Sequence, residues 1–150
     1  MQNVGEIVHN QLLITSFAAC FLAQGIKGAV GIVQQGKLDI RLILGSGGMP
    51  SSHSALVTAL ATGVGKIQGW SSFEFAIATV FAVIVMYDAT GVRQAAGKQA
   101  KILNQMVEEL FQDNHSISEE KLKELLGHTP VQVLAGCALG IAVSLLIVQG

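Results

Sequence analysis

Four long apolar stretches alternate with polar segments along the chain. They cover residues 11–33, 53–69, 73–92 and 130–148. A helix needs about 20 apolar residues to cross a bilayer, and three of the stretches reach or approach that length. The stretch 53–69 is shorter and carries Lys66 at its far end, so it is tilted, shielded by protein or not fully spanning. The pattern predicts an all-α integral membrane bundle of about four spans.

The segment between the third and fourth stretches follows a different pattern. Over residues 94–112, apolar residues recur at three- and four-residue spacing with charged residues on the other faces, which predicts an amphipathic helix. Ser116 and Glu119 resemble a capping box, which predicts a short charged helix running to Leu126. We therefore expect a helical insertion over residues 94–127 of a single membrane domain.

Composition supports the membrane assignment. Apolar residues make up 51% of the 150 residues, charged residues only 13%, and the mean hydropathy is +0.54, whereas about a quarter of the residues of a soluble domain are charged. Ala55, Ala59 and Gly63 recur at four-residue spacing and place a stripe of small residues on one face, which favours close helix contact. Glycine-rich faces also permit pairing with a second copy. We expect membrane lipids as surroundings and no nucleic-acid partner.

The distribution of positive charge predicts the topology. Four spans place both termini on one side and the segments 34–52 and 93–129 on the other. Most basic residues lie in those two segments, and positive charge favours the cytoplasmic side. We therefore expect a cytoplasmic face for both segments and an outside location for the termini. The basic residues concerned are Lys37, Arg41, Arg93, Lys98, Lys101, Lys121 and Lys123.

This topology brings a group of chemically active residues to the same membrane face. The sequence predicts that a helix begins at Pro50, Ser51 and Ser52. Backbone N–H groups and the helix dipole attract anions at such a position. Charges inside membrane segments are expensive and usually mark function or a paired interior. Two histidines and three cations near a helix start predict a phosphate site that needs no metal and no cofactor. The charged and histidine members are Lys27, Arg41, His53, Asp88, Arg93 and His128.

Three ordered motifs carry a family resemblance. The stretch from Gly47 to Ala55 contains Pro-Ser-Ser-His, the stretch from Tyr87 to Arg93 reads Tyr-Asp-Ala-Thr-Gly-Val-Arg, and Gly127-His128-Thr-Pro follows. Together they resemble the type 2 phosphatidic acid phosphatase and vanadium haloperoxidase superfamily. They are most similar to its divergent bacterial and plastid branch, the acid phosphatase/vanadium-dependent haloperoxidase-related membrane proteins. The resemblance implies a bacterial inner membrane or plastid-type membrane.

The resemblance also implies roles for individual residues. His128 would be the phosphohistidine nucleophile and His53 the general acid. Lys27, Arg41 and Arg93 would bind the substrate phosphate, with backbone N–H groups at Ser51 and Ser52. Asp88 either pairs with one of these cations or supports catalysis.

The motifs depart from the superfamily at four positions. Gln34 and Leu122 stand where arginines are expected, Ser52 replaces a glycine, and Gln132 replaces the acid four residues after the nucleophile. A glutamine oxygen can accept the N–H of an imidazole, but it carries no charge to stabilise the positive ring.

Two functional interpretations follow. The first is a metal-independent phosphatase that acts on a lipid phosphate or diphosphate through a phosphohistidine. The second is a non-catalytic membrane module that binds phosphate or anionic lipid, or a small transporter component around Lys27, Asp88 and Arg93. Gln132 is the residue that favours the second interpretation.

Overall fold

A computed structural model describes residues 4–35, 48–110, 122, 124 and 126–149. The described part is helical and contains no strand, which confirms the predicted all-α bundle. A short 3₁₀ helix (Val4–His9) precedes five α-helices. These are α1 (Gln11–Gln35), α2 (Ser52–Gln68), α3 (Phe73–Thr90), α4 (Val92–Leu110) and α5 (Pro130–Ile147).

Helix α2 is the centre of the bundle and packs against α1, α3 and α5. Ala55 and Ala59 of the predicted small-residue stripe form a buried cluster with side chains of α1 and α5. On the other side of the helix, Val57 and Ala61 pack against Ala82 of α3. The shortest apolar stretch is therefore shielded by protein, which is one of the three alternatives that the sequence left open.

Three helical segments among the described residues contain a stretch long and apolar enough to cross a membrane: Gln11–Val33, Phe73–Leu110 and Pro130–Ile147. The second segment joins α3 and α4, and its apolar stretch is α3, because Arg93, Lys98 and Lys101 lie in α4. The outer faces of the three segments carry large exposed apolar side chains, such as Phe21 at 70% and Leu146 at 84% exposure. Helix α2 has 17 residues, or about 26 Å of helix, and is not among the three. The outer helices thus present apolar surface to lipid, while α2 is covered by its neighbours.

Helix α5 approaches α2 through two glycines spaced four residues apart. A Cβ at Gly140 would collide with the carbonyl oxygen of Ala55 and the hydroxyl of Thr58, and one at Gly136 would collide with the carbonyl oxygen of Ser51. Glycines at this spacing let two helix backbones come close in a membrane. The close contact begins at the N-terminal turns of both helices, where the two histidine motifs lie.

The opposite end of the bundle is closed by polar contacts to the last turn of α5. Lys66 Nζ donates to the carbonyl oxygens of Leu145 at 3.0 Å and Val148 at 2.5 Å. Gln11 Nε2 donates to the carbonyl oxygen of Ile147 at 3.3 Å. The start of α1 and the end of α5 therefore lie at one end of the bundle, as the predicted grouping of the termini requires.

Helix α4 covers residues 92–110, which is most of the segment 94–112 predicted as an amphipathic helix. Leu122, Glu124 and Leu126 lie outside any helix, so the prediction of a short helix running to Leu126 is wrong for these residues. The physical reason is a side-chain clamp: Asn104 Nδ2 donates to the Leu122 carbonyl at 2.9 Å, and the Leu122 N–H donates to Asn104 Oδ1 at 3.0 Å. The predicted capping pair Ser116 and Glu119 lies outside the described residues.

Candidate functional site

The Pro-Ser-Ser-His turn starts helix α2 with an internal cap. Ser51 is fully buried, and its hydroxyl oxygen accepts the Ser54 N–H at 3.3 Å. The Ser51 N–H donates to the backbone oxygen of Gln132 at 3.0 Å. The side chain of Ser52 is also buried and is hydrogen-bonded to Cys20 of α1. Both predicted serines therefore hold the turn through their side chains, and the N–H of Ser51 is already bonded within the protein.

The second histidine motif forms the turn before helix α5. Gly127 has φ +85°, a left-handed conformation that favours glycine. The next residue, His128, is 4% exposed, and its N–H donates to the Ala89 carbonyl at the end of α3 at 2.9 Å. Thr129 and Gln132 then form a capping box at the start of α5. The turn thus fixes the imidazole of His128 beside the first turn of α2 and the last turn of α3.

Gln132 orients the His128 ring. Its side-chain oxygen lies 3.2 Å from His128 Nδ1 and accepts the Thr129 N–H at 3.1 Å. A neutral amide oxygen at this position favours the tautomer with its proton on Nδ1, which leaves Nε2 as the unprotonated nitrogen. This is the arrangement that a nucleophilic histidine requires.

Burial is the main influence on the ionisation of His128 and lowers its pKa below the ordinary value for histidine. The hydrogen bond with Gln132 acts in the opposite direction and raises the pKa. The charges of Lys27 and His53 lower it, and a backbone hydrogen bond with Gly48 raises it. The net effect holds the ring in its neutral form, which is the form that can attack.

Lys27 reaches the same end of the bundle from α1. It is only 4% exposed, and its side chain passes beside Gly48, where an added Cβ would lie 3.1 Å from Lys27 Cε. Gly48 has φ +83°, so both its conformation and the adjacent lysine favour glycine here. A buried cation is thereby placed near His53 and His128.

Asp88 and Arg93 are paired with each other. Arg93 Nε lies 2.5 Å from Asp88 Oδ2, and both side chains are partly exposed. Burial lowers the pKa of His53 at the start of α2, the charges of Arg93 and Lys27 lower it further, and the charge of Asp88 raises it. The structure therefore brings five of the predicted residues to one end of the bundle. Arg41, the sixth member of the predicted charged and histidine group, lies outside the described residues.

Sequence reasoning missed two structural features of this site. The link from the Ser51 N–H to the Gln132 carbonyl joins the two histidine turns, and no local pattern indicates it. The capping box of Thr129 and Gln132 was visible as a Thr-x-x-Gln signal but was not recognised. Among the described residues, no group of three or more His, Cys, Asp or Glu side chains could hold a metal ion.

Comparisons with known proteins agree on one family. A family model described as "Divergent PAP2 family" matches residues 8–143. The chain is 43% identical over 155 aligned positions to the "Uncharacterized membrane protein YuiD" of Bacillus subtilis (strain 168), and the alignment covers 95% of this chain and 96% of that protein. No solved structure matches the chain.

Proposed function

Because the chain belongs to the divergent PAP2 family, we propose that it is a metal-independent phosphatase acting on a lipid phosphate or diphosphate. The observation that carries this proposal is the His128–Gln132 contact of 3.2 Å, beside His53 and the buried Lys27. The site lies at the ends of membrane helices, where the headgroup phosphate of a lipid would also lie.

The reaction would take two steps. In the first, His128 Nε2 attacks the terminal phosphorus, the bond from that phosphorus to the leaving oxygen breaks, and protonated His53 gives this oxygen its proton. The leaving oxygen belongs to the lipid in a monophosphate and bridges the two phosphorus atoms in a diphosphate. In the second, His53 takes a proton from water, the water oxygen attacks phosphorus, and the phosphorus–nitrogen bond breaks. The products are inorganic phosphate and either the dephosphorylated lipid, from a monophosphate, or the lipid monophosphate, from a diphosphate. His128 returns to its neutral form and His53 to its protonated form.

Positive charge would hold the phosphoryl oxygens. Lys27 and Arg93 lie near the histidines, and a charge-assisted hydrogen bond to phosphate is stronger than a neutral one. Arg41 remains a predicted third ligand. Asp88 is bonded to Arg93, so its role in this scheme is to position the guanidinium rather than to support His128.

The alternative is a membrane module that binds phosphate or anionic lipid without hydrolysis, or a small transporter component. Gln132 favours it, because a neutral amide orients the imidazole without stabilising the positive charge that forms during attack. Phosphate binding without turnover would be its signature.

Phosphate release separates the two functions. Full-length protein in detergent is incubated with phosphatidic acid, phosphatidylglycerol phosphate or a polyprenyl diphosphate in the presence of a metal chelator. We expect hydrolysis that falls at least about a hundredfold in His128→Ala and in His53→Ala. The matched control is His9→Ala, an exposed histidine of the N-terminal 3₁₀ helix. Hydrolysis that His128→Ala leaves unchanged would overturn the mechanism.

We also propose that the histidine end of the bundle faces the cytoplasm, because the sequence concentrates basic residues in the segments 34–52 and 93–129. Single cysteines replacing Lys98 in α4 and Gln149 after α5 report on the two ends, in a background with Cys20 and Cys137 changed to alanine. In intact cells, a membrane-impermeant maleimide should label only the cysteine at position 149. Labelling of position 98 alone would reverse the orientation.

A further inference from the structure

A cleft opens between helices α3 and α5. Both helices pack extensively on α2 but make few contacts with each other, so α2 forms the floor of the gap. Its volume is about 360 Å³, within the range of about 300–1,000 Å³ that holds small molecules in other proteins. The cleft lies between two of the candidate membrane-spanning segments and therefore opens sideways towards lipid.

The lining of this α3–α5 cleft suits a hydrocarbon chain. Its walls are apolar side chains such as Val83 of α3 and Ile141 of α5, above a floor that includes Ala61. The hydroxyl of Thr58 in the floor is already engaged, since it donates to the carbonyl oxygens of Ser54 at 2.7 Å and Cys137 at 3.2 Å. Thr62 and Thr79 also line the cleft, and the buried hydroxyl of Thr79 has no hydrogen-bond partner. These hydroxyls are separated by apolar side chains, and none of the described residues that line the cleft is charged, so a charged headgroup would find no countercharge along these walls.

One end of the cleft adjoins the histidine site and the other is walled by aromatic rings. Met86 lines the cleft two residues before Asp88, and Thr58 lies one turn beyond Ser54 of the Pro-Ser-Ser-His turn. At the far end, Trp70 and Phe75 meet edge to face, with centroids 5.2 Å apart. From Phe75 to Met86 the wall is about 16 Å long, close to half of a hydrocarbon core of about 30 Å.

We propose that the α3–α5 cleft binds the hydrocarbon chain of the phosphate-bearing lipid, whose phosphate then lies between His53 and His128. The inference rests on the proposed function, because the phosphate site at one end of the cleft determines in which direction the hydrocarbon chain lies. Lipid surrounding the protein is as apolar as the cleft, so hydrophobic transfer contributes little to binding. The contribution of the cleft is orientation: a chain held along α2 points its phosphate at His128 Nε2.

Photo-crosslinking tests the location without relying on turnover. Full-length His128→Ala protein in nanodiscs is irradiated with phosphatidic acid that carries a diazirine in one acyl chain, and the labelled peptides are mapped. We expect label on the residues that line the cleft, competed by unlabelled phosphatidic acid and not by diacylglycerol. Label spread evenly over the lipid-facing sides of α1, α3 and α5 would overturn the proposal.

A pair of tryptophan substitutions tests the consequence for substrate binding. Val83→Trp narrows the cleft, whereas Val80→Trp makes the same change on a different face of α3, beside Ile77 and Ile84. We expect Val83→Trp to raise KM for a long-chain lipid phosphate about tenfold, which corresponds to about 1.4 kcal/mol, and to leave hydrolysis of a water-soluble phosphate monoester unchanged. Val80→Trp should leave both the KM for the long-chain lipid phosphate and the hydrolysis of the soluble monoester unchanged.

The two experiments distinguish failure of the cleft from failure of the phosphatase. Cleft labelling in a protein that hydrolyses no substrate would support the binding site and reject the proposed activity. Hydrolysis with uniform labelling, or with equal KM values for the two tryptophan variants, would reject the cleft and leave the activity standing.

Discussion

The side-chain oxygen of Gln132 lies 3.2 Å from Nδ1 of His128. The same residue accepts the Ser51 N–H through its backbone oxygen, so it holds the imidazole and ties together the two histidine turns. This contact accounts for orientation of the ring, but a neutral amide supplies no countercharge when the ring becomes positive.

Replacing Gln132 separates these two contributions. Gln132→Glu keeps an oxygen at Nδ1 and adds a charge, so we expect phosphate release to be maintained or accelerated. Gln132→Leu removes the oxygen, and we expect a loss of about a hundredfold or more in kcat because the tautomer is no longer fixed. Initial rates with a lipid phosphate measure both effects.

The control for Gln132→Leu must lose the helix cap and keep the contact with His128. Thr129→Ala does so, because it removes the capping hydroxyl and leaves the Gln132 amide in place. It should cost about 1 kcal/mol of stability with little change in kcat. A kcat as low as that of Gln132→Leu would assign the effect to capping.

The lowered pKa of His128 predicts how stability depends on pH. Burial lowers this pKa below 6.5, the ordinary value, so the unfolded chain takes up the proton before the folded protein does. The free energy of unfolding is therefore full above about pH 6.5 and decreases as the pH falls through that value towards the lowered pKa. Thermal unfolding at pH 8 and pH 5.5 should show a smaller difference in His128→Gln than in the unaltered protein. If the stability difference between pH 8 and pH 5.5 is equal in the two proteins, His128 does not cause the pH dependence.

Close packing between α2 and α5 predicts a strong effect at Gly140. An added methyl group would collide with the Ala55 carbonyl and the Thr58 hydroxyl, so Gly140→Ala should destabilise the protein by about 1–3 kcal/mol. Gly25→Ala is the matched control, because nothing lies within 4 Å of an added Cβ there. Thermal unfolding in detergent should place Gly140→Ala well below Gly25→Ala. Equal midpoints would show that the helices can move apart at no cost.

Long apolar stretches were sufficient to predict α1, α2, α3 and α5, because membrane helices must satisfy their backbone hydrogen bonds internally. The boundaries of α2, Ser52–Gln68, differ by one residue at each end from the apolar stretch. Three ordered motifs were sufficient to predict the family, and the match over residues 8–143 confirms it. Apolar stretches and short motifs can be recognised without knowledge of the tertiary fold, because each lies within one short segment of the chain.

Contacts between distant residues were not predictable in the same way. The course of the chain at Leu122 depends on Asn104, 18 positions earlier, and the capping signal that suggested a helix contains no information about that clamp. The sequence also left Asp88 with several partners, and only the geometry assigns it to Arg93. Such choices depend on how helices pack rather than on spacing along the chain.

The Asp88–Arg93 pair predicts non-additive kinetics. Both side chains are partly exposed, so the pair should contribute less than about 1 kcal/mol to stability. Arg93→Gln should raise KM for the lipid phosphate about tenfold, and Asp88→Asn should have a smaller effect that disappears in the double variant. Lys98→Gln, which removes an exposed charge of α4, is the control. If Asp88→Asn raises KM equally with and without Arg93, Asp88 acts independently of the guanidinium.

Lys27 gives the sharpest test of whether buried charge serves the phosphate. Lys27→Met keeps an unbranched apolar stem in the buried position and removes the ammonium group, so the fold should persist while KM for the lipid phosphate rises by about tenfold or more. Lys66→Met is the matched control at the other end of the bundle. It removes bonds to the carbonyls of Leu145 and Val148 and should therefore lower the thermal midpoint without raising KM. If both variants lose stability and neither changes KM, Lys27 is a structural cation and the phosphate is bound elsewhere.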